Sequence, residues 1–349
     1  MKKRILIAPL NWGLGHSTRC IPVINALLKY GFDPILASDG NNLTFLKKEF
    51  PNLKFIELPS YNITYPKNGS FRWHLLKKLP TILSAIKKEQ KVISCLIDSK
   101  KIDGIISDNR FGVFSKKIPS VYITHQLNVF SGSTSCISSK IHRKIINKFD
   151  ECWVPDTINR SLSGALSNAK NVVTKTKYIG ALSRLKKQTL EIEYNLLILL
   201  SGPEPQRSTL ESLLLAQINN FKGNIAFVRG VIEDKQTIVN KGKVIIYNYL
   251  NSIQLNTLIN KSSVVLSRSG YSTIMDLAKL GKKAFFIPTP GQYEQEYLAI
   301  YLKNKNIAPF ALQKDFKIES LKKVENYTGF QIPISEHLPR DLFSLFECK

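Results

Sequence analysis

The sequence predicts an α/β protein of two domains, each a mostly parallel sheet covered by helices. Strand-sized apolar runs end in polar turns and lead into amphipathic helical stretches, the pattern of βαβ units, and this recurs in both halves. The 349 residues exceed one comfortable core, so two domains follow. Hydrophobic residues make up 43 %, which excludes a disordered or fibrous chain. The expected division is 1–184, 185–333 and a final segment 334–349 with helical potential that crosses back to the first domain.

In MKKRILIAPL the apolar run breaks at Asn11, Trp12 and Gly13, so Ile5 to Leu10 is expected as a first strand, not a signal peptide. The turn NWGLGHSTR follows, then a helix with Ile21, Ile24, Leu27 and Leu28 on one face. His16 therefore sits at a helix N-terminus. The positive end of the helix disfavours imidazolium and leaves a neutral base. A competing reading makes GxG part of a dinucleotide turn with Asp39 as its ribose acid, but Thr18 replaces the third glycine.

Between Tyr61 and Lys91, Tyr61, Tyr65, Phe71, Trp73, Leu75, Leu76, Leu79, Ile82 and Leu83 stand among Lys67, Arg72, Lys77, Lys78, Lys87 and Lys88. This mixture suits either a helix lying on an anionic lipid surface or a solvated basic face. DGIIS runs into Asp108, Asn109 and Arg110, and SVYITHQLN repeats the design with His125 and Gln126. His16 and Asp108 are the catalytic candidates. Gly15, Asn109, Arg110, His125 and Gln126 are candidate acceptor contacts. The five histidines lack ligand spacing, so neither a metal nor a cofactor is expected.

Tyr178 to Arg184 is expected as a strand closing the first domain, and LKKQTLEIEYN as the connector. Leu196 to Leu200, Ala226 to Arg229 and Val244 to Tyr247 are the next strands. In SGPEPQR the prolines remove two amide donors, leaving Ser201, Gly202 and Arg207 as candidate ligand contacts.

Val264 to Ala299 reads as a complete ligand-binding βαβ crevice. Val264 to Leu266 is a buried strand that ends in Ser267, Arg268, Ser269 and Gly270. Ser272 or Thr273 caps the helix, Ile274, Leu277, Ala278 and Leu280 form its buried stripe, and Gly281 closes it. Ala284 to Ile287 is the second strand. Helix-start amides with Arg268, Ser269, Gly270, Tyr271 and Ser272 suit a diphosphate, and Asp276, one turn after Ser272, suits ribose hydroxyls. Gln292, Glu294 and Gln295 suit a sugar.

SRSGxxTxxD, then an apolar strand, Pro and a Gln-x-Glu-Gln loop, resembles the donor-binding half of family 28 glycosyltransferases. The resemblance implies a GT-B fold, two Rossmann-like domains facing across a cleft, and inverting, metal-independent transfer from a nucleotide sugar, UDP-linked in this group. It gives Asp276 the ribose-binding role, Gln295 a sugar-recognition role, and Ser269 and Gly270 the phosphate-side turn. GLGH resembles the family's GxGGH turn, with Leu14 where glycine is usual, and Glu296 stands where a second glutamine is usual. Tyr249 to Leu250 approach the place where the family holds the base.

Composition bounds the partners. Lys and Arg number 50 against 26 acids, and residues 1–184 carry net +18 while the remainder carries +6. A lysine-rich, AT-biased composition explains part of this excess. Its asymmetry points to an anionic membrane surface or acceptor for the first domain. No nucleic-acid motif is present, and the scattered cysteines Cys20, Cys95, Cys136, Cys152 and Cys348 imply a reducing cytoplasm. The expected function is transfer of a sugar to a lipid or glycan acceptor at the inner face of the cell membrane. Two rivals stay open: a nucleotide-sugar epimerase of the same fold, and a nonenzymatic nucleotide-sensing, membrane-docking protein.

Overall fold

A computed structural model describes residues 2–62, 71–170, 172–231, 233–331 and 337–347, with the side chains of 71–77 outside the description. Tyr65, Lys67 and Cys348, and the side chains of Phe71, Arg72, Trp73, Leu75, Leu76 and Lys77, lie outside the described residues. The chain divides into two compact units, Met1–Ser183 with Ser335–Lys349, and Arg184–Ile334.

The first unit contains β1 (Arg4–Pro9), α1 (Gly15–Lys29), β2 (Asp33–Ser38), α2 (Gly40–Glu49), β3 (Lys54–Glu57), α3 (Phe71–Asp98), β4 (Gly104–Asp108), β5 (Ser120–Ile123), α4 (Ser135–Ile146), β6 (Glu151–Val154) and β7 (Lys175–Tyr178). Its seven strands pair in parallel in the order β3-β2-β1-β4-β5-β6-β7. Central strands of such a sheet are covered on both faces, which is why Ile5, Leu6 and Ile7 are consecutive and fully buried. On α1, Ile21, Ile24 and Leu27 face the core, whereas Leu28 turns outward.

The strand expected over Tyr178 to Arg184 lies earlier in the chain: β7 spans Lys175–Tyr178 and ends where the expected strand begins. Gly180 adopts φ +77 and its amide bonds Asp156 O, which turns the backbone out of the sheet.

The final segment packs on this first unit. The ring of Phe343 lies 5.8 Å from Tyr30, 6.0 Å from Phe32 and 5.5 Å from Trp153, and the Tyr30 hydroxyl donates to Leu338 O at 2.7 Å. A Cβ at Gly104 would lie 2.5 Å from the Phe346 ring, so the missing side chain there makes room for it. Among its described residues the helical content is a short turn over Arg340–Phe343 and α9 (Ser344–Glu347).

The second unit contains β8 (Tyr194–Leu199), α5 (Gln206–Leu215), β9 (Ile225–Val228), β10 (Ile238–Lys241), β11 (Val244–Tyr247), α6 (Ser252–Asn260), β12 (Ser262–Ser267), α7 (Tyr271–Leu280), β13 (Lys283–Phe286) and α8 (Tyr293–Asn304). Its order is β10-β11-β9-β8-β12-β13, parallel except for β10, which forms an antiparallel edge hairpin with β11. Leu196, Ile198, Phe227, Leu266 and Phe285 form its core. The stripe of α7 is buried as read from sequence, and Gly281 closes the helix at φ +63.

Both sheets reverse direction of winding at one point: between β1 and β4 in the first unit, between β8 and β12 in the second. At such a point the loops leaving neighbouring strands diverge, and the carboxyl-end crevice they open is where α/β sheets bind ligands.

Candidate active site

At the first unit's switch point Pro9 pairs with Asp108, the last residue of β4. Gly15 opens α1, and His16 is its second residue. His16 Nδ1 lies 2.8 Å from Asp108 Oδ1. Asp108 is fully buried and gripped by Arg19, whose Nε donates to Oδ2 at 2.5 Å and whose Nη2 donates to Oδ1. Cys20 Sγ adds a contact to Oδ2 at 3.5 Å.

Burial pushes the Asp108 carboxyl up, but Arg19 and His16 beside it prevail and hold it well below the usual carboxylate range. His16 Nδ1 faces two groups, the acceptor Asp108 Oδ1 and, at 2.9 Å, the donor Arg19 Nη2; we assign its proton by the ionised carboxylate, which only accepts, and so place the proton on Nδ1 and the lone pair on Nε2. Burial and then the Arg19 charge lower the His16 pKa, against the opposing pull of Asp108. The neutral base expected from the sequence thus has a different main cause from the helix terminus.

The other first-unit candidates divide. His125 joins the cluster, with Nδ1 3.3 Å from Arg19 Nη1. Gln126 follows it, half-buried, with its amide bonded to Thr124 Oγ1 at 3.1 Å. Asn109 takes φ +59, and its Oδ1 accepts from the Tyr122 hydroxyl at 3.0 Å.

Arg110 is corrected from an acceptor contact to a buried structural cation. It is fully buried, donating from Nε to Glu89 at 2.6 Å, from Nη1 to Asp39 at 2.7 Å and from Nη2 to Pro59 O at 2.6 Å. Asp39, so engaged and also bonded to Asn11 at 3.1 Å, is a partner of Arg110. Its ribose role in a dinucleotide turn falls with that. Tyr61 is likewise buried, its hydroxyl donating to Glu89 at 2.6 Å, so it does not belong to an interfacial face.

In the second unit the switch-point loops converge through Arg268, which is corrected from a phosphate ligand to a structural tie. Only 2 % exposed, its guanidinium donates to Ile287 O at 3.2 Å, Pro288 O at 3.1 Å, Gln206 O at 2.8 Å and Gln313 Oε1 at 2.7 Å. Those partners belong to the loop after β13, the start of α5 and a later turn, so one buried cation binds the crevice's walls together. Burial lowers its pKa to about 10.

Arg207 is corrected in the same way. It is buried and ion-paired with Glu204 and Glu211, so its charge is neutralised within the protein. Ser201 and Gly202 remain exposed at the start of that loop. The Ser269 hydroxyl donates to Gln295 O at 2.8 Å and the Tyr271 side chain is buried, so these two offer the crevice backbone only. Neither Ser272 nor Thr273 caps α7, because the N-cap is Gly270 with no side-chain cap bond. A Cβ at Gly270 would meet nothing within 4 Å, which leaves the helix start sterically open. Ser272 and Asp276 are half-buried and one turn apart on α7.

Gln292, Glu294 and Gln295 sit at the start of α8. Gln295 accepts from the Thr289 amide at 2.9 Å and donates to Gln292 Oε1 at 2.6 Å, while Glu296 accepts from the Gly291 amide at 2.9 Å. The glutamine and Glu296 therefore shape the loop itself.

Residues 217–326 match the glycosyltransferase family 28 C-terminal domain. That span includes β12, α7 and α8. Residues 217–326 are a family 28 C-terminal domain. The UDP-N-acetylglucosamine--N-acetylmuramyl-(pentapeptide) pyrophosphoryl-undecaprenol N-acetylglucosamine transferase of Haemophilus ducreyi is 22 % identical over 346 residues, 93 % of this chain and 89 % of the relative. Its counterpart from Clostridium tetani is 25 % identical over 301 residues, 82 % and 78 % of the two chains. Among solved structures, the spinosyn forosaminyltransferase SpnP superposes with TM-score 0.64 at 12 % identity, covering 93 % and 90 %. The chain is a glycosyltransferase of GT-B fold.

Within the matched span Asp276 lies on α7, whose N-cap is Gly270, and Arg268 is buried beneath the turn before it. The residue that sequence reading missed is Arg19. Its signal was present: three residues after His16 on one helix, it shares that histidine's face. Glu89 gave no such signal, being an acid within a lysine-rich helix. Among the described residues no group of three or more His, Cys, Asp or Glu is arranged to hold a metal ion.

Proposed function

We propose that this glycosyltransferase moves a sugar from a UDP-linked donor to a lipid-linked or glycan acceptor by a single inverting displacement that uses no metal. The observation that carries the chemistry is the 2.8 Å contact of His16 Nδ1 with Asp108, which leaves Nε2 as the proton acceptor. The acceptor hydroxyl loses its proton to His16 Nε2 while its oxygen bonds the sugar's anomeric carbon. The bond from that carbon to the diphosphate breaks, and the diphosphate leaves with the electron pair. Attack opposite the leaving group inverts the centre.

The donor rests on the second unit. Amides at the start of α7, where Gly270 leaves open space, receive the diphosphate. Asp276 accepts from the ribose hydroxyls, and Gln292, Glu294 and Gln295 line the sugar end. The relatives' names support this reading, since they specify a UDP-sugar donor and a pyrophosphoryl-undecaprenol acceptor.

Docking on an anionic membrane at the cytoplasmic face completes the proposal. Leu79 and Leu83 lie exposed one turn apart on α3, followed by exposed Lys87, Lys88 and Lys91. On α4, exposed Ile137 and Ile141 alternate with Lys140 and Lys144. Among the described residues no helix is long and apolar enough to cross a membrane.

A panel of nucleotide sugars read by ligand-observed NMR tests the donor assignment. A UDP-linked member is expected to bind, and Asp276→Ala to weaken it by roughly 10- to 100-fold, the loss of hydrogen bonds to a charged group. No response to any UDP-sugar, or undiminished binding by the variant, overturns it. Conversion of the sugar without an acceptor selects the epimerase.

A further inference from the structure

We propose that Arg19 is a positioning residue that keeps the His16 base neutral and correctly protonated. The proposal rests on the reading of His16 as the base.

A carboxylate 2.8 Å from an imidazole favours imidazolium, so a His–Asp pair left to itself drifts toward the protonated ring. A protonated His16 has no lone pair and cannot take a proton from an acceptor. Arg19 opposes that drift in two ways. Its fork holds both oxygens of Asp108, which fixes the carboxylate and shares its charge. Its Nη2 also lies 2.9 Å from His16 Nδ1, which places a cation against the ring. Since Asp108 accepts only, Nδ1 keeps its single proton and Arg19 disfavours the second.

The site makes this coupling strong. Arg19 is 2 % exposed and Asp108 is fully buried, so little water screens either charge. The groups facing His16 are Arg19 from the next turn of α1, Asp108 from β4 and His125 from the loop after β5. A lysine carries the charge but lacks the planar fork that spans two carboxylate oxygens. Arg19 acts through Asp108 and His16 and needs no substrate contact.

The test is titration of the histidine Cε1–H resonances in the full chain, with His16 assigned by its disappearance in His16→Gln. In the wild type His16 is expected to titrate below the ordinary 6.5. A midpoint above 7 overturns the proposal without any variant. Arg19→Gln keeps a hydrogen-bond donor but no charge, and its His16 midpoint is expected to rise by about one pH unit. Arg19→Lys is expected to leave it near the wild-type value. An unmoved midpoint in folded Arg19→Gln, or an equal rise in both variants, refutes the electrostatic role. Donor turnover separates the two layers. If His16→Gln turns over donor as fast as wild type, the base reading fails whatever Arg19 does. If His16→Gln is inactive and the Arg19→Gln midpoint is unmoved, only the role of Arg19 fails.

Discussion

Replacing Arg110 with methionine separates a structural cation from a ligand contact. The guanidinium is fully buried and meets two carboxylates, Glu89 at 2.6 Å and Asp39 at 2.7 Å. Methionine fills much of the volume but leaves Glu89, itself fully buried, with the Tyr61 hydroxyl and the Gly112 amide at 3.0 Å as its partners among the described residues. Breaking a buried pair on one side costs about 3–5 kcal/mol, and a unit of this size loses about 2–4 °C per kcal/mol, so the melting temperature falls by roughly 6–20 °C.

The deficit carries a pH signature. Burial already raises the Glu89 pKa in the folded protein against the pull of Arg110, and losing Arg110 raises it further. A carboxyl whose folded pKa exceeds its unfolded value favours folding more as pH falls, so the variant's deficit should shrink between pH 7.5 and 5. Differential scanning calorimetry at both pH values measures it. A variant that melts within about 2 °C of wild type, below even the single-pair loss, refutes the structural reasoning. A raised acceptor KM with that unchanged melting point would return Arg110 to the acceptor site.

His142 supplies a second pH dependence. Burial, then His125, lowers its pKa to about 4, and its ring packs 6.1 Å from Phe111 and 5.8 Å from Tyr122. Below 6.5 the unfolded chain takes up a proton that folded His142 refuses, so stability is lost as pH falls. The loss is about 2 kcal/mol between pH 7.5 and 5. His142→Phe should remove it, and denaturant titrations with equal losses in both proteins would count against the assignment. For the membrane face, liposome flotation with anionic lipid at low salt is expected to carry the protein, and Leu79→Glu/Leu83→Glu to leave it behind. Failure of the wild type to float removes membrane docking.

The order of strands, helices and turns was legible in the residues because it depends on local periodicity. Consecutive apolar runs such as Ile5–Ile7 mark buried parallel strands, and the Ile274–Leu280 stripe and Gly281 mark a helix and its end. From that order alone came the placement of His16, Asp108 and the start of α7 at strand ends, where ligands bind. The sequence did not distinguish the arginines. Arg110, Arg207 and Arg268 each stand in a polar turn at a strand end, as a phosphate or acceptor ligand would. The structure buries all three against carboxylates or carbonyls, and Arg19, unremarked in its helix, grips Asp108.

What decided between these roles is contact between distant segments. Arg19 meets a carboxylate 89 residues away, Arg110 one 71 away and Arg268 a glutamine 45 away. A parallel sheet brings remote turns to one edge, and a cation there is pulled inward wherever the fold supplies enough acceptors to replace water. Local pattern determined which residues reach that edge, and tertiary packing determined which of them are drawn into the protein's own ion pairs and hydrogen bonds.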